Sequence, residues 1–106
     1  MIELVVSEDC HFCEEQAGIL RANFAPRDFR IITTGSMEFE SYDLAGMVEI
    51  VPLVVIRRKN GSVAYAAEGL HAAGELRRII ESSQSPSFNL RRSREIAQEQ
   101  VSKYAG

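Results

Sequence analysis

The chain opens with Ile2-Glu3-Leu4-Val5-Val6, a short β-branched run bounded by Ser7-Glu8-Asp9, and this pattern predicts a buried strand. From residue 10 the period changes. Cys13, Ala17, Leu20 and Phe24 recur at helical spacing on one face until Pro26 stops the pattern, which predicts a helix over 10–24 weakened slightly by Gly18. Residues 29–34, Phe-Arg-Ile-Ile-Thr-Thr, read as a second strand closed by Gly35. Ser36 is a candidate N-cap for a helix running to Ala45 and stopped by Gly46, with Phe39, Tyr42 and Met47 as a thin apolar stripe. Strands at 52–56 and 62–66 flank Arg57-Arg58-Lys59-Asn60-Gly61. Asn60-Gly61 is the strongest hairpin signal, and it predicts a type I′ turn in which both central residues take positive φ. Ala72 to Ser82 supplies the last core helix, with Leu76, Ile79 and Ile80 facing inward.

The predicted order is thus β-α-β-α-β-β-α within residues 1–82. A strand–helix–strand unit implies a parallel pair with a right-handed crossover, and the closing hairpin adds antiparallel strands. The expected fold class is α/β, a four-stranded mixed sheet with helices packed against it. A polar break at Ser82–Ser87 separates this domain from residues 83–106, a linker and a further helix at 90–104. Leu90, Ala97, Val101 and Tyr104 lie along one side of that helix, and its four basic and two acidic residues reverse the sign of the rest of the chain.

Composition narrows the class. With 106 residues, 45% of them apolar and 25% charged, the chain suits one domain around one modest core. No apolar run approaches the roughly 18 residues of a membrane span. The opening residues, MIELVVSED, are acidic and too short in their apolar part for a secretory signal, so a cytoplasmic location and no membrane partner are expected. A net charge of -3 implies no general affinity for nucleic acid, and a monomer is expected. Residues 1–15 hold Glu3, Glu8, Asp9, Glu14 and Glu15 but no Lys or Arg. That neighbourhood suits basic protein partners better than small anions.

In the same stretch stand Cys10 and Cys13, the chain's only cysteines. In a reducing compartment a lone pair is catalytic or metal-binding more often than a staple. Structural zinc wants four ligands; Cys10, His11 and Cys13 are too crowded to wrap one ion, and His71 is the only other histidine, so no metal is expected. A plainer reading is two cysteines on a helix, one of them buried as a small hydrophobe. The redox reading explains more. A thiol at a helix N-terminus faces unsatisfied N–H groups and the positive end of the dipole, which favour the attacking thiolate. A second thiol one turn on can resolve the mixed disulfide. This makes Cys10 the exposed nucleophile and Cys13 the semi-buried resolving thiol. Protonated His11 favours the Cys10 thiolate while Glu8, Asp9, Glu14 and Glu15 disfavour it, so Cys10 is expected to be moderately acidic, as suits a reductase. The plain alternatives are that Glu14 and Glu15 complement the helix dipole and that His11 is an exposed spacer. His71 reads as a surface histidine at a helix start.

The strand–Cys10-His11-Phe12-Cys13–helix opening, the Val51-Pro52 pair before an apolar strand and Gly69 after the hairpin together resemble the glutaredoxin branch of the thioredoxin fold. The resemblance covers residues 1–82. It implies a thioredoxin-like sheet, a cis bond at Pro52, and a Val51 backbone that pairs with an incoming substrate segment. It further implies substrate contacts around His11, Phe12, Gly69 and Leu70, and exchange of protein or small-molecule disulfides at Cys10 and Cys13 with no bound cofactor. Glutathione-using members share a lysine before the first cysteine, a threonine before Val-Pro and a Gly-Gly pair near the last helix. Ser7, Ile50 and Glu68-Gly69-Leu70-His71-Ala72 stand there instead. A thioredoxin-reductase-like system is therefore the favoured source of electrons, with glutathione open as reductant without its usual contacts. Two other readings stand beside this one. The first is a binding or redox-regulatory module presenting Phe12, Val51 and the tail helix to a protein. The second is iron–sulfur binding across a dimer, which the missing glutathione contacts disfavour.

Overall fold

Alternation along the first strand divides the whole molecule. In the computed structural model, which describes residues 1–83, that strand is β1 (Ile2–Val6). It is followed by α1 (His11–Asn23), β2 (Phe29–Thr33), α2 (Met37–Glu40), β3 (Leu53–Arg57), β4 (Val63–Glu68) and α3 (Ala73–Ser82), with single 3-10 turns at Pro26–Asp28 and Ala45–Met47. The four strands form one mixed sheet in the order β2-β1-β3-β4. β1 runs parallel to β2, with Leu4 beside Ile31, and antiparallel to β3, with Leu4 beside Val54; β3 and β4 are antiparallel.

Because successive side chains on a strand point to opposite faces, β1 sends Ile2 and Leu4 one way and Glu3 and Val5 the other. The first set joins Val54, Ile56, Tyr65 and Ala67 under Ala17 and Leu20 of α1 and Leu76 and Ile79 of α3. The second face carries Val5, Ile32, Leu53, Val55 and Ala66, closed over by Tyr42 with Phe39, Leu44, Ala45 and Val48. The result is a mixed α/β fold in three layers, with helices on both faces of the sheet.

The outcome departs from the sequence pattern in four places. The helix expected to run from Ser36 to Ala45 stops at Glu40. Ser36 caps it as expected, its hydroxyl accepting the Phe39 N–H at 3.1 Å. Beyond residue 40 the chain instead crosses the sheet face, which lets Tyr42 reach the Glu3 carboxylate at 2.9 Å and Asp43 reach Arg57 at 2.6 Å. Met47, expected inside, is 51% exposed. The strand pair starts at Leu53 and runs on to Glu68, since Pro52 has no N–H to give to a ladder. The hairpin is present but its turn is not type I′: Gly61 has φ +87°, while Asn60 is not among the positive-φ residues. Gly61 N–H donates to the Arg58 carbonyl and Arg58 N–H to that of Ser62, both at 2.9 Å, the pattern of a three-residue loop ending in a left-handed glycine. The helix at 90–104 and most of the polar break lie outside the described residues. Among the described residues no helix is long and apolar enough to cross a membrane.

Candidate functional site

Between β1 and α1 the chain turns through Asp9, at φ 56°, a left-handed conformation that a short polar side chain tolerates. The turn delivers Cys10 in extended conformation as the N-cap of α1, where its sulfur accepts the Cys13 N–H at 3.2 Å. Cys10 and Cys13 are joined as a disulfide, their Cα atoms 5.2 Å apart. Cys10 is half-buried, whereas Cys13 is 3% exposed on the same helix face as Gln16, Ala17 and Leu20. The helix therefore gives the two sulfurs unequal access to solvent, one at the mouth and one beneath it. Glu14 N–H closes the first turn on the Cys10 carbonyl at 3.2 Å.

The exposed surface here belongs to His11, Phe12, Glu14 and Glu15. His11 and Phe12 meet edge to face with ring centroids 5.8 Å apart, and Phe12 is 59% exposed. His11 directs Nε2 to the Glu15 carboxylate at 2.9 Å, one turn along, and both side chains are in solvent. Glu3 does not belong to this acidic rim. It lies on the far face of β1, 2% exposed, where it accepts hydrogen bonds from Arg57 Nε (2.6 Å), Arg30 Nε (2.8 Å) and Tyr42. Burial alone pushes its carboxyl up, but the two guanidiniums and the phenol outweigh this and hold its pKa below the usual range.

Val51 and Pro52 lead into β3 at the cysteine end of β1, where Val5 faces Leu53. The Val51–Pro52 bond is cis. Pro52 is buried and Val51 half-buried. Gly69 N–H donates to the Pro52 carbonyl at 2.9 Å, which brings the 69–71 corner to the same place; Gly69 has φ +94°, a conformation glycine adopts without a Cβ clash. Leu70 is half-buried. No protein-family model, curated protein or solved structure matches this chain.

His71 is not a surface residue. It is 1% exposed, and its backbone is gripped by the Gln16 side chain: Gln16 Oε1 accepts the His71 N–H at 2.6 Å, and Gln16 Nε2 donates to the His71 carbonyl at 3.0 Å. Nδ1 lies 3.0 Å from the Gly69 carbonyl, which can only accept, so Nδ1 carries the proton. Nε2 is then the acceptor for the Tyr65 hydroxyl at 2.7 Å. Burial pushes the His71 pKa down, against a smaller upward pull from the Gly69 carbonyl. Burial likewise pushes Tyr65 up, helped by the Glu75 charge, and raises the 4%-exposed Glu75. Gln16, Tyr65 and Glu75 were not singled out from the sequence. The signal for Gln16 was present: it falls between Cys13 and Ala17 on the stripe that the helical period turns inward. Among the described residues no group of three or more His, Cys, Asp or Glu is placed to hold a metal ion. A cleft of about 440 Å³, lined by Phe24, Arg27, Lys59 and Ile80 among others, lies at the other end of the sheet, by the start of β1.

Proposed function

We propose that this chain is a small thiol–disulfide oxidoreductase built on a thioredoxin-like, glutaredoxin-type fold. The observation that carries the reading is the Cys10 sulfur at the N-cap of α1, within hydrogen-bond reach of the Cys13 N–H and bonded to the less accessible Cys13. In support stand the mixed sheet order β2-β1-β3-β4 and the convergence of residues 51–52 and 69–70 on the cysteine end of β1.

In the reduced protein the Cys10 thiolate attacks one sulfur of a substrate disulfide. The substrate S–S bond breaks, a Cys10–substrate bond forms, and the first substrate thiolate leaves. The Cys13 thiolate then attacks the Cys10 sulfur, forming the intramolecular disulfide and releasing the second substrate thiolate. Two electrons pass to the substrate, and the two protons given up by the protein thiols balance the two thiols released. An external dithiol or glutathione must reduce Cys10–Cys13 before the next turnover. The backbone N–H groups of the first turn and the dipole's positive end stabilise Cys10 as thiolate, both as nucleophile and as leaving group. Val51, with Phe12, Gly69 and Leu70 around it, is the surface on which the substrate segment lies in this reading.

Reduction of a disulfide-linked fluorogenic peptide, recycled with thioredoxin reductase in one arm and glutathione in another, tests the assignment. Wild type is expected to turn over and Cys10→Ser to lose all activity. Cys13→Ser should accumulate the mixed disulfide with Cys10, visible by mass. Wild-type inactivity in both arms sinks the reading.

A further inference from the structure

The buried grip of Gln16 on His71 has no counterpart in the thiol chemistry itself, yet it ties the helix that bears the cysteines to the loop that bears Gly69 and Leu70. Three elements contribute: Gln16 from α1, Tyr65 from β4 and His71 from the loop before α3. We propose that these three side chains form a positioning unit: while its imidazole is neutral, His71 holds the Gly69-Leu70 segment against α1, and protonation of that ring lets the segment go. The proposal rests on the oxidoreductase reading and adds a regulation to it.

Burial of the ring favours its neutral form. Nδ1 donates to the Gly69 carbonyl, and in that form Nε2 accepts from Tyr65. A protonated ring has two donors and no acceptor, so the Tyr65 hydroxyl must turn its proton away and offer only its oxygen. The imidazolium would also be a buried charge at a site 1% exposed. Glu75, facing the cluster from α3, pulls the other way, since its ionised form favours a cation nearby; burial, however, favours its protonated form. Gln16 carries no charge and fixes only the backbone. The outcome of protonation is that the ring moves towards water, taking the corner with it. A substrate segment that lies on Val51 and the corner is then bound less well, whereas a small disulfide that touches only Cys10 is unaffected.

The test compares kcat/KM for a disulfide-linked peptide with that for a small aromatic disulfide, in the full chain, between about pH 5 and 7.5. The ratio cancels the titration of Cys10. In wild type the ratio should fall as pH drops below 6.5, the ordinary histidine value, through a rise in the peptide's KM. Tyr65→Phe removes the hydroxyl that favours the neutral ring and should move this fall to higher pH. Gln16→Met, which keeps length but not the amide, should raise the peptide's KM by about tenfold at pH 7.5 and leave the small disulfide within about twofold. A ratio flat with pH, or equal losses on both substrates in either variant, overturns the proposal. If wild type reduces neither disulfide, the oxidoreductase reading has failed, and hydrogen exchange at the His71 amide, which donates to Gln16, decides the positioning unit alone. Protection at pH 7.5 that is lost at pH 5 in wild type supports it, and equal protection at both overturns it.

Discussion

The two faces of the sheet both bury polar groups, and they do so by opposite means. On the α2 face one carboxylate, Glu3, is matched by the arginines of the strands either side, Arg30 on β2 and Arg57 on β3, with Tyr42 completing its hydrogen bonds. Arg57 is held in turn by Asp43. On the α1/α3 face the Gln16, Tyr65 and His71 interactions are between neutral groups. Charge pairs are strong but leave a large penalty when one partner goes; neutral hydrogen bonds are weaker singly and easier to reverse. The charged cluster lies on the face closed by Tyr42 and its neighbours and by a helix of only 4 residues. The neutral cluster lies against the helix of the cysteines, where a small change of state can be felt.

The comparison is broken most directly at Glu3. Glu3→Ala takes the carboxylate away from Arg57 Nε, Arg30 and Tyr42, leaving Arg57 to Asp43 and the Gly61 carbonyl, and should cost about 3 kcal/mol in urea denaturation, the low end for a broken buried pair. Thiol reactivity of the refolded protein should be unchanged; a parallel loss of both would mean the faces are not independent. The pH dependence sharpens the contrast. His71 has a folded-state pKa below 6.5, so the stability it contributes is complete above that value and erodes as pH falls from it. Glu3 is held below 4.5 in the fold, so its contribution persists to lower pH and is lost as pH falls through its folded value. Glu75, raised by burial, acts in the opposite sense and gains with falling pH. Urea midpoints from pH 8 to 3 should therefore fall in two steps, and Glu3→Gln should shrink the lower step, to which Asp43 also contributes, and leave the upper one.

Tyr65→Phe should cost about 1–3 kcal/mol, the range for a buried acceptor deprived of its donor. The smallest effect belongs to Asp43→Asn. Its carboxylate is 60% exposed, and although the Arg57 hydrogen bond holds its pKa down, an exposed pair of this kind contributes under about 1 kcal/mol. A larger loss would show that Asp43 is needed to orient Arg57 towards Glu3.

Most of the scaffold was legible because its signals are local. The Cys13–Ala17–Leu20 stripe, the β-branched runs of β1 and β3 and the Ser36 cap each follow from neighbours within one or two turns. The failures share a different cause. The segment after Glu40 is shaped by Tyr42 and Asp43 reaching residues 39 and 14 positions away in the chain, and no local period reports this. The turn at Lys59-Asn60-Gly61 is set by the three-residue loop closed between Arg58 and Ser62, which the dipeptide alone does not report. His71 is polar by type and buried by partnership, since Gln16 lies 55 residues upstream. Glu3 misleads in the same way: in sequence its charge groups with the acids near Cys10, while strand alternation turns it to the other face. At the candidate site, Cys10 at the helix start and the cis bond at Pro52 accord with expectation, but Cys10 is half-buried rather than exposed and Cys13 is buried rather than partly so, and the polar groups beneath them became visible only once the chain was folded.

A carboxylate in the middle of an apolar strand also guards against mispairing. Were β1 to slip by one residue, Glu3 would enter the greasy layer under α1 and α3, and Leu4 would face two arginines. A one-residue slip of β1 against its neighbours is thereby made a losing competitor during folding.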